Sequence, residues 1–153
     1  MLYLQVGWSQ RVVPDTKWFS FHAVDGTDQC SSLGVGPIRL WLQRGLGQGS
    51  TGIVYEAKLD VDEHGNKPTS RSYAVKTVVR GRSEEKEGSV ERLFNEFEAY
   101  RKIELARKQG KFGHVAPRCY GLYESRSLYA LILDDEGESL DDEEWASLKY
   151  EEK

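Results

Sequence analysis

Hydrophobic and polar residues alternate in short runs along most of this chain, and one long segment instead repeats at helical spacing. Leu2, Leu4, Val6 and Trp8 alternate with Tyr3, Gln5 and Gly7, the two-residue period of a strand. Residues 17–24 predict a second strand, with a turn at Val13-Pro14-Asp15 between them and a loop over 25–34. From Pro37 the pattern sharpens: strands over 38–44 and 53–59, a polar turn over 62–68, and a strand over 72–79. Residues 81–88 form a charged connector. Ser89 then caps a helix that runs to about Lys108, with Leu93, Phe97, Tyr100 and Ile103 on its inward face. Gly110 and Gly113 break the helix, and strands over 118–124 and 128–134 make a hairpin around Ser125-Arg126. This order predicts an α+β fold: a five-stranded antiparallel sheet with one packed helix, plus an N-terminal β-rich extension. The extension either pairs with the sheet edge or stays loose.

Composition narrows the class. With 153 residues, 39% hydrophobic and 11% aromatic, the chain is long and apolar enough for one core. The net charge of −4 is uneven: residues 134–153 hold ten acidic and two basic residues, so the first 133 carry a net +4. A mildly positive body suits an anionic ligand. No dense basic patch interleaves with aromatics, which argues against nucleic acid. Cys30 and Cys119 lie far apart, have no metal-ligand spacing and read as unpaired thiols of a reducing compartment. His22, His64 and His114 are scattered. No apolar run reaches membrane-spanning length, and the start lacks the basic region of a signal peptide. The expectation is an intracellular, cytoplasmic chain with no membrane partner.

The candidate chemistry starts at Leu46-Gly47-Gln48-Gly49-Ser50-Thr51-Gly52-Ile53-Val54. Glycines let backbone N–H groups approach phosphates that a Cβ would hold off. β-Branched Ile53 and Val54 lead into a strand, not into the helix of a dinucleotide-binding loop. A strand ending Tyr73-Ala74-Val75-Lys76 follows. Strand alternation puts Ala74 and Lys76 on one face, with Val75 and Thr77 on the other. Such a lysine needs a carboxylate to fix it. At about 100° per residue, Glu96 shares the helix stripe of Leu93, Tyr100 and Ile103, whereas Glu98 lies about 200° away beside Arg101 and Lys102. Glu96 is therefore the expected partner of Lys76, ahead of Glu91, Glu98 and Glu104.

The glycine motif fits G-x-G-x-x-G-x-V and the second segment fits V-A-I-K; in this order they resemble the opening of a eukaryotic protein kinase domain. The resemblance covers about residues 40–145. It implies an N-terminal extension over 1–36, a kinase-like N-lobe over 37–140, and an acidic tail over 141–153 that begins a C-lobe. It implies ATP, used as Mg-ATP in the family, as the bound nucleotide. Leu46, Gly47, Gly49 and Gly52 would fold over it, Val54 and Ala74 would sandwich the adenine, and Lys76 would hold the α- and β-phosphates. Leu133 would guard the back of the pocket. Asp134 and Glu136 would act through their backbone as the hinge, so that their side chains matter little, and Gly137 to Leu140 would open the next helical region.

The sequence contains no H-R-D-x-x-x-x-N, no D-F-G and no A-P-E, so no catalytic residue and no metal ligand is carried over. The expected function is the ATP-binding lobe of a protein-kinase-like protein whose family reaction is phosphoryl transfer to protein Ser or Thr, truncated and inactive alone. Two other readings fit the same residues: a non-catalytic interaction module on that scaffold, and a fragment of a small-molecule kinase of related fold. An apolar cleft floor of Val54, Ala74 and Leu133 would invite a protein partner.

Overall fold

Strand-forming runs rich in Tyr, Val, Ile and Leu dominate the described residues, and they close on themselves. The computed structural model describes residues 3–8, 19–34, 38–49, 51–59, 71–111 and 116–136. It is α+β. The described strands are β1 (Tyr3–Trp8), β2 (Phe19–Ala23), β3 (Ile38–Gln48), β4 (Ile53–Leu59), β5 (Tyr73–Val79), β6 (Cys119–Glu124) and β7 (Leu128–Asp134). One helix, α1 (Glu84–Lys108), follows β5, and a short 3-10 turn (Thr27–Gln29) follows β2. The expected turns at 13–15 and 62–68, Gly113, the segment 137–140 and the acidic tail lie outside the described residues.

The strand order is β1-β2-β6-β7-β5-β4-β3, closed into a barrel. This corrects the expected five-stranded sheet. Strands β3 to β7 form that sheet, and the N-terminal extension bridges its two edges. Strand β2 runs antiparallel to β6, and β1 runs parallel to β3 with Leu4 opposite Ile38. Unpaired edge N–H and C=O groups are the physical reason for closure: the extension supplies partners to both edges.

Alternation sorts the side chains into two apolar clusters. Inside the barrel sit Phe21, Leu40, Leu42, Ala57, Tyr73, Val75, Tyr120, Tyr123, Ala130 and Ile132. Burial pushes the Tyr123 phenol up to about 12. On the outer face, Val78, Leu122, Tyr129, Leu131 and Leu133 pack with Leu93 and Phe97 of α1. A register shift between Cys119 and Gly121 turns Cys119 toward α1 and Tyr120 into the barrel. Gly121 has φ 115°, and a Cβ there would overlap the Thr27 side chain.

The helix begins earlier than its sequence suggests. Ser83, not Ser89, is the N-cap, and its hydroxyl accepts from the Lys86 amide. Glu84, Glu85 and Glu87 occupy the first turn and Arg107 and Lys108 the last, each matching the helix dipole. Most of the supposed connector is thus helical. The buried stripe is Leu93, Phe97 and Glu104, with Tyr100 packed beside it. Ile103 is only half-buried, and the next residue, the carboxylate Glu104, takes the inward position.

Candidate functional site

Register, more than any single residue, assembles the site. Strand β4 lies across from β5 with Val54 opposite Lys76 and Glu56 opposite Ala74. Strand β7 lies on the other side, with Leu133 opposite Ala74 and Leu131 opposite Lys76. Directly opposed residues share a sheet face. Val54, Glu56, Ala74, Lys76, Leu131 and Leu133 therefore all lie on the outer face, the one against which α1 packs.

Helix α1 brings Glu96 to this face. Lys76 Nζ donates to Glu96 Oε2 at 2.6 Å, with the two side chains 19% and 29% exposed. Glu98 instead pairs with Arg101 at 2.6 Å on the same helix. The helical phase of Glu96 beside Leu93 is what directs it inward. Tyr100 packs next to it, and burial first, then the Glu96 charge, raises the tyrosine's pKa.

The glycine segment is the hairpin joining β3 to β4. Gly47 pairs with Val54 and Gln48 with Ile53, and the Gly49 amide donates to the Gly52 carbonyl at 2.9 Å. Leu46 sits at a register shift between Gly45 and Gly47 and is exposed. The glycines differ in what demands them. A Cβ at Gly52 would overlap the Thr77 carbonyl oxygen and crowd Val78. Gly52 thus lets the hairpin rest on β5, where Thr77 Oγ1 also donates to the Ile53 carbonyl. The start of β4 is thereby held against β5. A Cβ at Gly47 or Gly49 would meet nothing within 4 Å, and neither has positive φ. Internal packing leaves both positions open, and that room is what a phosphate needs to reach backbone N–H groups.

This contrast predicts a split. Gly52→Ala is expected to lower stability by about 1–3 kcal/mol through overpacking. Gly47→Ala and Gly49→Ala are expected to stay within about 0.5 kcal/mol of the parent chain. Urea unfolding of the three variants checks it; equal losses at all three would contradict the packing argument.

At the far end of the face, Leu133 is 9% exposed and packed in the helix-side cluster. Ala74 is half-buried against the same cluster, so the apolar cleft floor is smaller than expected. The Asp134 amide donates to the Arg118 carbonyl and the Asp135 amide to Ser72. The Asp134 carboxylate accepts two hydrogen bonds from Arg71 and one, at 2.8 Å, from the Tyr120 hydroxyl. That corrects the view that its side chain matters little: it ties β6 and β7 to the residue two positions ahead of β5. Glu136 lies just beyond β7 and is exposed.

Glu56 is the residue that sequence reasoning passed over. It shares parity with Val54 on β4, so alternation alone places it on the candidate face. Its carboxylate accepts from Arg44 at 2.7 Å and from the Ser72 hydroxyl at 3.1 Å. The Arg44 hydrogen bond holds its pKa below the ordinary carboxylate value. This network gives the face a polar border beside Ala74, which lies opposite Glu56.

Among the described residues, no group of three or more His, Cys, Asp or Glu side chains is arranged to hold a metal ion. No described helix is long and apolar enough to cross a membrane. Comparison of the chain with family models, with curated proteins and with solved structures gives no match.

Proposed function

We propose that this chain is the nucleotide-binding lobe of a protein-kinase-like fold and binds ATP on the outer face of the β3–β4–β5–β7 sheet. The observation that carries the reading is the Lys76–Glu96 ion pair, set cross-strand from Val54 and at the foot of a glycine hairpin with open space over Gly47 and Gly49. The donor chemistry fits a polyphosphate. Gly47 and Gly49 offer close backbone approach, and the Lys76 ammonium offers a charge-assisted bond held in place by Glu96. Val54 and Ala74 offer a narrow apolar wall for a flat base, with Leu46 exposed above the hairpin and Leu133 closing the back. Asp134 and Glu136 flank the end of β7, where backbone groups would meet the adenine edge.

In the family that the sequence resembles, such a lobe presents ATP for transfer of its γ-phosphoryl group to a protein hydroxyl. The residues assigned here grip and orient; none is assigned to the acceptor or to magnesium. Lys76 would neutralise phosphate charge, and the hairpin would exclude water from one side of it.

One wall and one cation support modest affinity. A dissociation constant in the millimolar range, about 4 kcal/mol, is expected. Titrating ATP into the nitrogen-labelled chain tests this by amide chemical shifts. Saturable shifts should centre on Gly47, Gly49, Gly52, Lys76 and Glu136. Shifts confined to β1 and β2, or none at all, would refute the assignment. Sub-micromolar binding would show that the site lies elsewhere.

A further inference from the structure

The two cysteines, 89 positions apart in sequence, meet in the fold. Cys30 Sγ and Cys119 Sγ are 3.8 Å apart, and both residues are buried and free. Cys30 closes the 3-10 turn of the N-terminal segment, and Cys119 opens β6. Their backbones are already joined next door, since the Ser31 amide donates to the Cys119 carbonyl at 2.9 Å. Thr27 does the same one turn earlier: its hydroxyl donates to the Leu122 carbonyl at 2.8 Å and accepts from the Leu122 amide at 3.1 Å.

The same segment braces the helix. Gln29 accepts from Arg101 through its side chain at 2.9 Å and from Lys108 through its carbonyl at 2.7 Å. The Ser31 hydroxyl donates to Glu104 at 3.1 Å. Residues 24–31 thus lie between β6 and the C-terminal half of α1, and the thiol pair sits where they touch the sheet.

We propose that Cys30 and Cys119 are a covalent modification site, forming a reversible intramolecular disulfide that fastens the N-terminal brace to β6 beneath α1. A disulfide of about 2.05 Å requires the two sulfurs, now 3.8 Å apart, to close by less than about 2 Å. They are unlike as nucleophiles. The hydrogen bond with Cys119 pulls the Cys30 thiol below its ordinary value, and the same contact, with burial, pushes Cys119 up. Cys30 is also the less buried, at 6% exposed against 0%. The thiolate fraction therefore belongs to Cys30.

With a hydroperoxide as oxidant, the Cys30 thiolate attacks a peroxide oxygen. The O–O bond breaks, and hydroxide leaves and takes a proton as water. The resulting sulfenic acid is attacked at sulfur by Cys119; the S–O bond breaks, and the departing hydroxide takes the Cys119 proton. Two thiols and hydrogen peroxide give one disulfide and two waters. A small dithiol reverses it. The proposal stands apart from the nucleotide reading, because β7 lies between β6, which carries Cys119, and β5, which carries Lys76.

The test treats the whole chain with hydrogen peroxide, alkylates it and weighs it intact. The expected product is a monomer lighter by two hydrogens that takes no alkyl group, with one proteolytic peptide pair joining Cys30 to Cys119. Closing so long a loop is expected to raise the unfolding temperature by about 10 °C over the reduced chain. Cys30→Ser should keep one alkylatable thiol and gain no thermal stability. A peroxide-treated chain that keeps both thiols, or cross-links only between molecules, would overturn the proposal. A disulfide that forms without a thermal shift would overturn the fastening role.

Discussion

Replacing Glu104 with alanine is expected to cost about 3 kcal/mol of stability, the largest loss for any single polar side chain described here. Glu104 is 3% exposed and accepts from Arg107 at 2.6 Å, from the Cys119 amide at 2.9 Å and from the Ser31 hydroxyl at 3.1 Å. Alanine leaves a buried amide without its acceptor and a guanidinium, 14% exposed, without its counter-charge. Arg107 keeps the Ala116 and Pro117 carbonyls, which holds the loss below that of a fully stranded charge. Glu104→Gln retains an acceptor for the Cys119 amide and should lose roughly half as much. A domain of this size has about 5–15 kcal/mol in total, so the alanine variant should unfold at visibly lower urea. An alanine variant within about 0.5 kcal/mol of the parent would show that α1 is held by its apolar stripe alone.

Glu104 also illustrates where the sequence was readable and where it was not. The stripe of Leu93 and Phe97 has a clear helical phase, and Glu104 continues that phase one heptad beyond Phe97. The apolar spacing of Leu93, Phe97 and Tyr100 continues equally well to Ile103, and the sequence pattern places that residue inward. The carboxylate goes in because its partners come from residues 31, 107 and 119, two of them remote in sequence. The start of the helix was obscured in a different way. Gly81 and Gly88 bracket a charged run that reads as a loop, while Ser83 and three acidic residues after it carry the capping chemistry.

Local alternation made the strands legible, including both strands of the N-terminal extension. Their destination was not. A two-residue period fixes which side chains share a face but not which strand lies alongside, and β1 finds β3 in parallel through pairing with no local signal. The Cys30–Cys119 contact is hidden for the same reason. The candidate face was readable because Val54, Ala74 and Lys76 sit at fixed parity on neighbouring strands and Glu96 at fixed phase on the helix. Glu56 obeys the same parity rule but belongs to neither motif, and its partners Arg44 and Ser72 lie 12 and 16 positions away.

Lys76→Ala should separate the phosphate contact from the base contact. An ammonium bonded to a phosphate oxygen contributes about 1.5–3 kcal/mol, so ATP affinity is expected to fall roughly tenfold to a hundredfold. Adenosine, which lacks phosphates, should bind the parent and the variant alike, since Val54 and Ala74 are untouched. The fold should hold: the ion pair is partly exposed, and its loss is expected to cost less than about 1 kcal/mol. Glu96→Gln keeps a hydrogen-bond acceptor near Lys76 but loses the charge that fixes it. It should weaken ATP by a smaller factor and leave adenosine unchanged. Competition titrations of ATP and adenosine against the three chains read this out. Equal loss of both ligands in Lys76→Ala would mean that Lys76 shapes the face without touching phosphate. Unchanged ATP binding would remove Lys76 from the site, and with it the observation on which the nucleotide reading rests.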